Sequence, residues 1–264
     1  MAIPAVALKY IPSIKWSNEL LLPAIMPVIV WAGGWLVFKL YSLKYSISDE
    51  VRTALTLTAG LGNTSFVGFP LIQAYYGDHA ISIAVISDQV TFVLMATIGS
   101  MMAMNNSGNK NLDFRQAALK LIKFPPFVAF VLALILPRFV NLSALDPFFD
   151  KIAVTLVPLA LFTVGLQLNF SGWRSELKLL IPGLAYKLIL APLLVAGVVV
   201  CFHLKGIIPQ ISVFEAAMAP MITAAVIADQ YQLNPKLANL MVGTGILLSF
   251  ITTGVWWLVL QRFA

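Results

Sequence analysis

The segment GLGNTSFVGFPLIQAYYGD, residues 60–78, places Asn63, Thr64, Pro70 and Gln73 in a stretch long enough to cross a bilayer. Pro70 has no N–H, so the carbonyl of Phe66 is expected to lose its helical partner. Gly60, Gly62 and Gly68 lower the cost of an irregular backbone before it. Pro220, in EAAMAPMITAAVIADQY at 215–231, does the same to Ala216. In lipid, backbone groups freed in this way must be buried in protein or line a watered cavity. Half-helix N-termini favour anions, and freed carbonyls favour cations. Two breaks facing each other would hold a carboxylate without a fixed charge. For either proline alone, a structural kink is the competing reading. Asn63 shares a helix face with Pro70 and would offer its amide to a carboxylate oxygen; an interhelical hydrogen bond is the alternative. Thr64 beside it, and Gln73 and Thr223 just after the two prolines, suit the same cavity. Thr163 and Gln167, one turn apart in VPLALFTVGLQL at 157–168, are placed on it too.

Ionisable residues at depth form a second group. Asp88 lies about nine residues into its span, roughly 13 Å at 1.5 Å per residue. Lys187 is about as deep from the opposite face. Such charges cost several kcal/mol unless paired or hydrated, which makes them candidates for function. Either the two approach each other or Asp88 gains and loses a proton as the protein works. The alternatives are a snorkelling Lys187 and a satisfied structural Asp88. Asp229 falls near the cytosolic end of its helix, as a wetted terminus or a residue of cytosolic access. Glu215 reads the same way at the outer end. His79 and His203 fall at span ends or in loops and take no ligand role. Cys201 has no partner for an intrachain disulfide, and no metal-ligand cluster is present in the sequence.

The elements that must position these residues follow from composition. The chain has 264 residues, 60% hydrophobic and 11% charged, where soluble domains run near a quarter charged. Continuous apolar runs without alternation specify membrane helices rather than a barrel. Eight spans are predicted, at 20–38, 53–76, 80–104, 117–136, 147–168, 179–202, 207–232 and 237–260. The polar stretch 105–116 reads as a cytosolic linker, since more Lys and Arg then fall on the cytosolic side. Trp16, Trp256 and Trp257 read as interfacial anchors. The net charge of +6 is scattered over short loops and forms no patch for nucleic acid.

Pro4 and Pro158, and likewise Pro70 and Pro220, recur at a spacing of about 150 residues. A duplication with an odd number of spans per copy inverts the second copy. The predicted units are an incomplete N-terminal repeat at 1–104, the linker 105–116 and a five-span C-terminal repeat at 117–264. By this alignment one helix and most of another are expected before Met1.

The segments GNTSFVGFPLI at 62–72, SDQV at 87–90, VPLALFTVGLQL and EAAMAPMITAAVIADQY resemble the auxin efflux carrier family of membrane transporters. That family includes plant auxin exporters and bacterial permeases for malate and malonate. The resemblance covers nearly the whole chain. It implies an all-α polytopic fold of ten helices in two inverted repeats, with two proline-broken helices crossing near mid-membrane. About eight of those helices are expected here.

The function expected is secondary transport of a small organic anion by alternating access. No cofactor is expected, and the candidate coupling ions are H+ and Na+. The partners are the anion and membrane lipid, with a homodimer compatible and no nucleic acid. The bacterial cytoplasmic membrane is the expected location. A truncated, non-transporting paralogue is the rival reading. An intramembrane enzyme is disfavoured because the one aspartate pair, Asp88 and Asp229, differs in depth.

Overall fold

The computed structural model describes residues 2–13, 17–106, 125–140, 145–155, 158, 159, 162, 165 and 173–263. Thr163, Gln167, Trp16 and nearly all of the 105–116 linker lie outside the described residues.

Regular structure among the described residues is helical. The N-terminal part comprises α1 (Ala2–Tyr10), α2 (Leu21–Tyr45), α3 (Asp49–Gly60), α4 (Phe69–Tyr76), α5 (Ile81–Leu94) and α6 (Ser100–Asn106). There follow α7 (Pro125–Ile135), α8 (Asp146–Ala153), α9 (Trp173–Ala185), α10 (Ala191–Cys201), α11 (Ile207–Ala216), α12 (Ile222–Gln230) and α13 (Pro235–Leu260). Wide π-helical turns at Thr64–Gly68, Met95–Gly99 and Tyr186–Leu190 lead into α4, join α5 to α6, and join α9 to α10.

Four continuous helical stretches are long and apolar enough to cross a membrane: Asn18–Tyr45, Asp78–Asn106, Trp173–Cys201 and Pro235–Leu260. They correspond to the predicted spans at 20–38, 80–104, 179–202 and 237–260. The stretches predicted at 53–76 and 207–232 are each two half-helices, α3 with α4 and α11 with α12. Of the predicted 117–136 and 147–168, the described parts include α7 and α8.

Local sequence sets the helix starts. Ser48 caps α3, its hydroxyl accepting the Val51 N–H at 3.4 Å, with Asp49 and Glu50 in the first turn. Asn234 caps α13 by accepting the Leu237 N–H at 3.2 Å, and Pro235 opens the helix. Thr53, Thr56 and Thr58 return their hydroxyls to the carbonyls of Asp49, Arg52 and Ala54. These polar residues can therefore lie buried in α3 with their donors satisfied.

The half-helices sit inside a casing of long helices. α2 packs on α3, α5, α10 and α11, while α13 packs on α3, α9 and α12. α1 packs on α7 and α8, with an ion pair between Lys9 and Asp150. Close approach depends on small residues. A Cβ on Gly34 of α2 would stand 3.1 Å from the Gly60 Cα of α3, and one on Gly245 of α13 would collide with the Pro220 ring. The outer faces expose Leu36, Leu40, Leu194, Leu247, Ile251 and Leu258, as a hydrocarbon solvent favours. Trp256 and Trp257 turn partly inward rather than serving only as interfacial anchors. The Trp256 indole donates to the Leu188 carbonyl at 3.0 Å, and the Trp257 ring lies 5.5 Å from that of Tyr75. A π-turn carbonyl is a better partner for an indole N–H than lipid.

Candidate functional site

The two interrupted helices meet at their breaks. Asn63 donates its backbone N–H to the Ala219 carbonyl at 2.8 Å, and Met221 donates to the Leu61 carbonyl at 3.1 Å. Gly62 and Pro220 thereby face each other in an isolated antiparallel bridge. Each break removes helical hydrogen bonds, and the other replaces some of them, so the extended backbone is satisfied away from water.

The position of the first break corrects the expectation that Pro70 makes it. Pro70 is the second residue of α4, beyond the π-helical turn, and the helix is interrupted at Leu61–Asn63. Within that turn the Gly68 N–H reaches back five residues to the Asn63 carbonyl at 3.0 Å. Pro70 is thus accommodated within a helical path. The chain instead leaves the helix where the second segment offers hydrogen bonds in return. The partner of Pro220 across the crossing is Gly62, not Pro70, and a Cβ on Gly62 would stand 3.1 Å from Lys187 Nζ.

Two small cavities flank the crossing. The first has a volume of about 30 Å³ and is lined by residues that include Asn63, Thr64, Asp88, Gln89, Ile222 and Thr223. It lies where the π turn leading into α4 and helix α12 begin, so it collects the positive ends of two half-helices. Asn63 Oδ1 accepts the N–H groups of Phe66 and Val67 at 3.1 and 3.3 Å. That cap fixes the amide orientation, because only the carbonyl end can accept. Nδ2 is left buried without a partner among the described residues. Thr64 donates to Asp88 Oδ1 at 2.7 Å, and Gln89 Nε2 lies 3.3 Å from Oδ2.

The second cavity, about 10 Å³, is lined by residues including Gly60, Leu61, Thr64, Thr91, Lys187 and Glu215. Here the half-helices end, so the lining is the negative pole of both. Lys187 Nζ donates to the Ala216 carbonyl at 3.1 Å. Only 1% of Lys187 is exposed, so its ammonium turns to the crossing rather than snorkelling outwards. A freed helix-end carbonyl compensates the charge where a lipid path would not.

Asp88 and Lys187 line different cavities, which share Gly62 and Thr64. Neither hydrogen-bonds the other: Asp88 takes Thr64, and Lys187 takes Ala216. Glu215 is a correction. It was expected at a wetted helix end, yet it is fully buried, and neither carboxylate oxygen has a hydrogen-bond partner among the described residues. A Cβ on Gly68 would stand 3.1 and 3.2 Å from its two oxygens. Reading 207–232 as one span had put Glu215 near an end. The available signal was its position five residues before Pro220, in the last turn of a half-helix.

The other predicted residues distribute as follows. Pro220 and Thr223 are at the crossing. Gln73 is exposed in the second turn of α4 and donates to Asp78 at 2.6 Å; with the break at Gly62, it lies too far along the helix to line either cavity. Asp229 is exposed in the last turn of α12.

Comparison with known proteins places the chain among membrane transporters. A family model described as membrane transport protein matches residues 1–257. An uncharacterized transporter of Methanothermobacter thermautotrophicus is 25% identical over 251 residues, covering 92% of this chain and 80% of its own. An uncharacterized transporter of Methanocaldococcus jannaschii is 22% identical over 272 residues, covering 99% and 87%. With nearly its whole length matched, the chain belongs to the membrane transport protein family, that of the auxin efflux carriers, and is a multi-pass transporter.

Proposed function

We propose that this transporter carries small organic anions, carboxylates or auxin-like acids, by alternating access around the crossed half-helices. The observation that carries the reading is the unpartnered Asn63 amide in the cavity where two half-helices begin. A carboxylate oxygen placed there accepts from Nδ2 and meets the positive ends of both half-helices. Thr223 lines the same space and offers a hydroxyl to the second oxygen, while the Thr64 hydroxyl stays on Asp88. The cavity of about 30 Å³ holds little more than water, so the anion enters as one group of helices rocks against the other.

The order α2, α3, α4, α5 parallels the order α9–α10, α11, α12, α13, and Gly62 meets Pro220 where the two series cross. We read this as two inverted copies of one unit within a fold of about eight spans, 1–104 and 117–264 joined by a cytosolic linker. Asp88, hydrogen-bonded to a hydroxyl that lines both cavities, is placed to link ion movement to anion movement. H+ and Na+ are the two candidates. Asp229 sits at the mouth of the path. The enzyme alternative has no support in the arrangement of Asp88 and Asp229, one buried and one exposed.

The test is uptake into vesicles reconstituted with the protein. The panel contains radiolabelled malate, malonate, indole-3-acetate and a neutral analogue, under imposed pH and sodium gradients. Saturable uptake of a carboxylate, with the neutral analogue excluded, supports the reading. No carried anion across the panel, from protein shown to be folded, overturns it.

A further inference from the structure

Glu215 is the buried group that the anion site does not use. It occupies the last turn of α11, with both oxygens unpartnered among the described residues. It lines the second cavity with Lys187, Thr64 and Thr91. The hydroxyl of Thr91 is committed to the Ser87 carbonyl at 2.7 Å and that of Thr64 to Asp88. Lys187 Nζ donates to the Ala216 carbonyl and does not hydrogen-bond Glu215. A buried carboxylate with no hydrogen bond is costly even with the Lys187 charge in the same cavity, and taking up a proton removes that cost. The end of α11 attracts a positive species as well.

The surroundings select which species. The cavity has a volume of about 10 Å³, at the lower limit for one water. The Lys187 ammonium lines the same space and repels a metal cation. A sodium ion also needs several oxygen ligands gathered around it, and a space no larger than one water beside an ammonium leaves no room to gather them. A proton needs neither ligands nor room. We propose that Glu215 is the proton-binding site of this transporter, with Lys187 as its fixed counter-charge. The proposal rests on the organic-anion reading above and gives that site its coupling ion.

The step is a protonation. A proton from the aqueous phase forms an O–H bond with one Glu215 oxygen, and the carboxylate becomes a neutral acid. With Asp88 and Glu215 both ionised, the crossing carries one more negative than positive charge. Protonation of Glu215 leaves Lys187 balanced against Asp88 alone, which lowers the repulsion met by an anion entering the first cavity. Proton and anion then move together.

Two charged groups act electrostatically on Glu215, Asp88 from α5 and Lys187 from the turn between α9 and α10. From α4, Tyr75 and Tyr76 meet the adjacent Phe214 edge to face. From the turn before α10, Tyr186 gives its hydroxyl to the Val30 carbonyl. On α2, Lys39 lies over the Trp35 ring and Lys44 over the Tyr45 ring, both at the exposed end, which also carries Tyr41. From α13, Lys236 donates to Ser175. On α10, Cys201 is exposed.

Infrared difference spectroscopy of the whole protein in vesicles, between acid and alkaline buffer without substrate, reads the site directly. A carboxylic-acid C=O band that is lost in Glu215→Gln, shifted in Glu215→Asp and retained in Asp88→Asn is the expected result. Wild-type protein without such a band, or a band that persists in Glu215→Gln, overturns the proposal. If Glu215→Gln does not fold, the Glu215→Asp shift decides alone, and an unshifted band overturns it. In transport, Glu215→Gln is expected to keep anion exchange down its own gradient and to lose at least tenfold of the pH-driven accumulation. Full pH-driven accumulation in that variant overturns the proposal. A band that behaves as expected in protein carrying none of the anions leaves the proton site standing and removes the anion reading.

Discussion

The two sides of the crossing are built from the same backbone device and differ in which helix ends they collect. On one side the half-helices begin, and the lining offers an amide, hydroxyls and outward N–H dipoles. On the other the half-helices end, and the lining holds a lysine, a glutamate and helix-end carbonyls. Backbone polarity alone therefore favours negative charge on the first side and positive charge on the second. Side chains follow that preference: Asn63 Nδ2 is an unused donor, and Lys187 caps the Ala216 carbonyl. Asp88 is the exception, an acid lining the anion side, held there by Thr64 at 2.7 Å.

The strongest way to break this contrast is to remove the lysine. Lys187→Met leaves the Ala216 carbonyl without its donor and Glu215 without the positive charge in its cavity, and losing a hydrogen bond from a charged group costs about 1.5–3 kcal/mol. The expected outcome is a large fall in thermal stability in detergent, with partial recovery in Lys187→Met/Glu215→Gln. Equal instability of the single and double variants would show that the two residues do not act as a unit.

The next effect sharpens the anion side. Asn63→Asp keeps the oxygen that caps Phe66 and Val67 but replaces the unused donor by a second acceptor. Anion affinity should fall at least tenfold, about 1.4 kcal/mol, while stability changes by less than about 1 kcal/mol. Asn63→Ala should lose the affinity and about 1 kcal/mol of stability as well. Isothermal binding and thermal melting of the same preparations separate the two roles. The smallest effect is expected outside both cavities. Gln73→Ala removes an exposed bond to Asp78 and should leave uptake within twofold; a larger loss would put α4 beyond its first turn into the anion path.

Much of the site was legible because lipid makes backbone irregularity conspicuous. Glycines, a proline and an Asn-Thr pair in an apolar segment announce a break, and EAAMAP announces another. The residue at the break was not legible. Proline chemistry pointed to Pro70, yet the chain leaves the helix at Leu61–Asn63, because that is where Ala219 and Met221 supply replacement hydrogen bonds. Gln73 was misplaced by the same shift. Glu215 was missed because an acid near the edge of a predicted span looks hydrated until the span proves to be two half-helices.

The sequence by itself determined the solvent, the helical class, the family and the two interrupted segments. These follow from hydropathy and from residues that cannot continue a helix without help. Only the tertiary structure decided which backbone groups replace one another and which buried charges share a cavity. Both depend on pairing between segments far apart in the chain, where Gly62 finds Pro220 and Lys187 reaches Ala216. Local propensity carries no information about such partners, because each bond exists only once the other helix is in place.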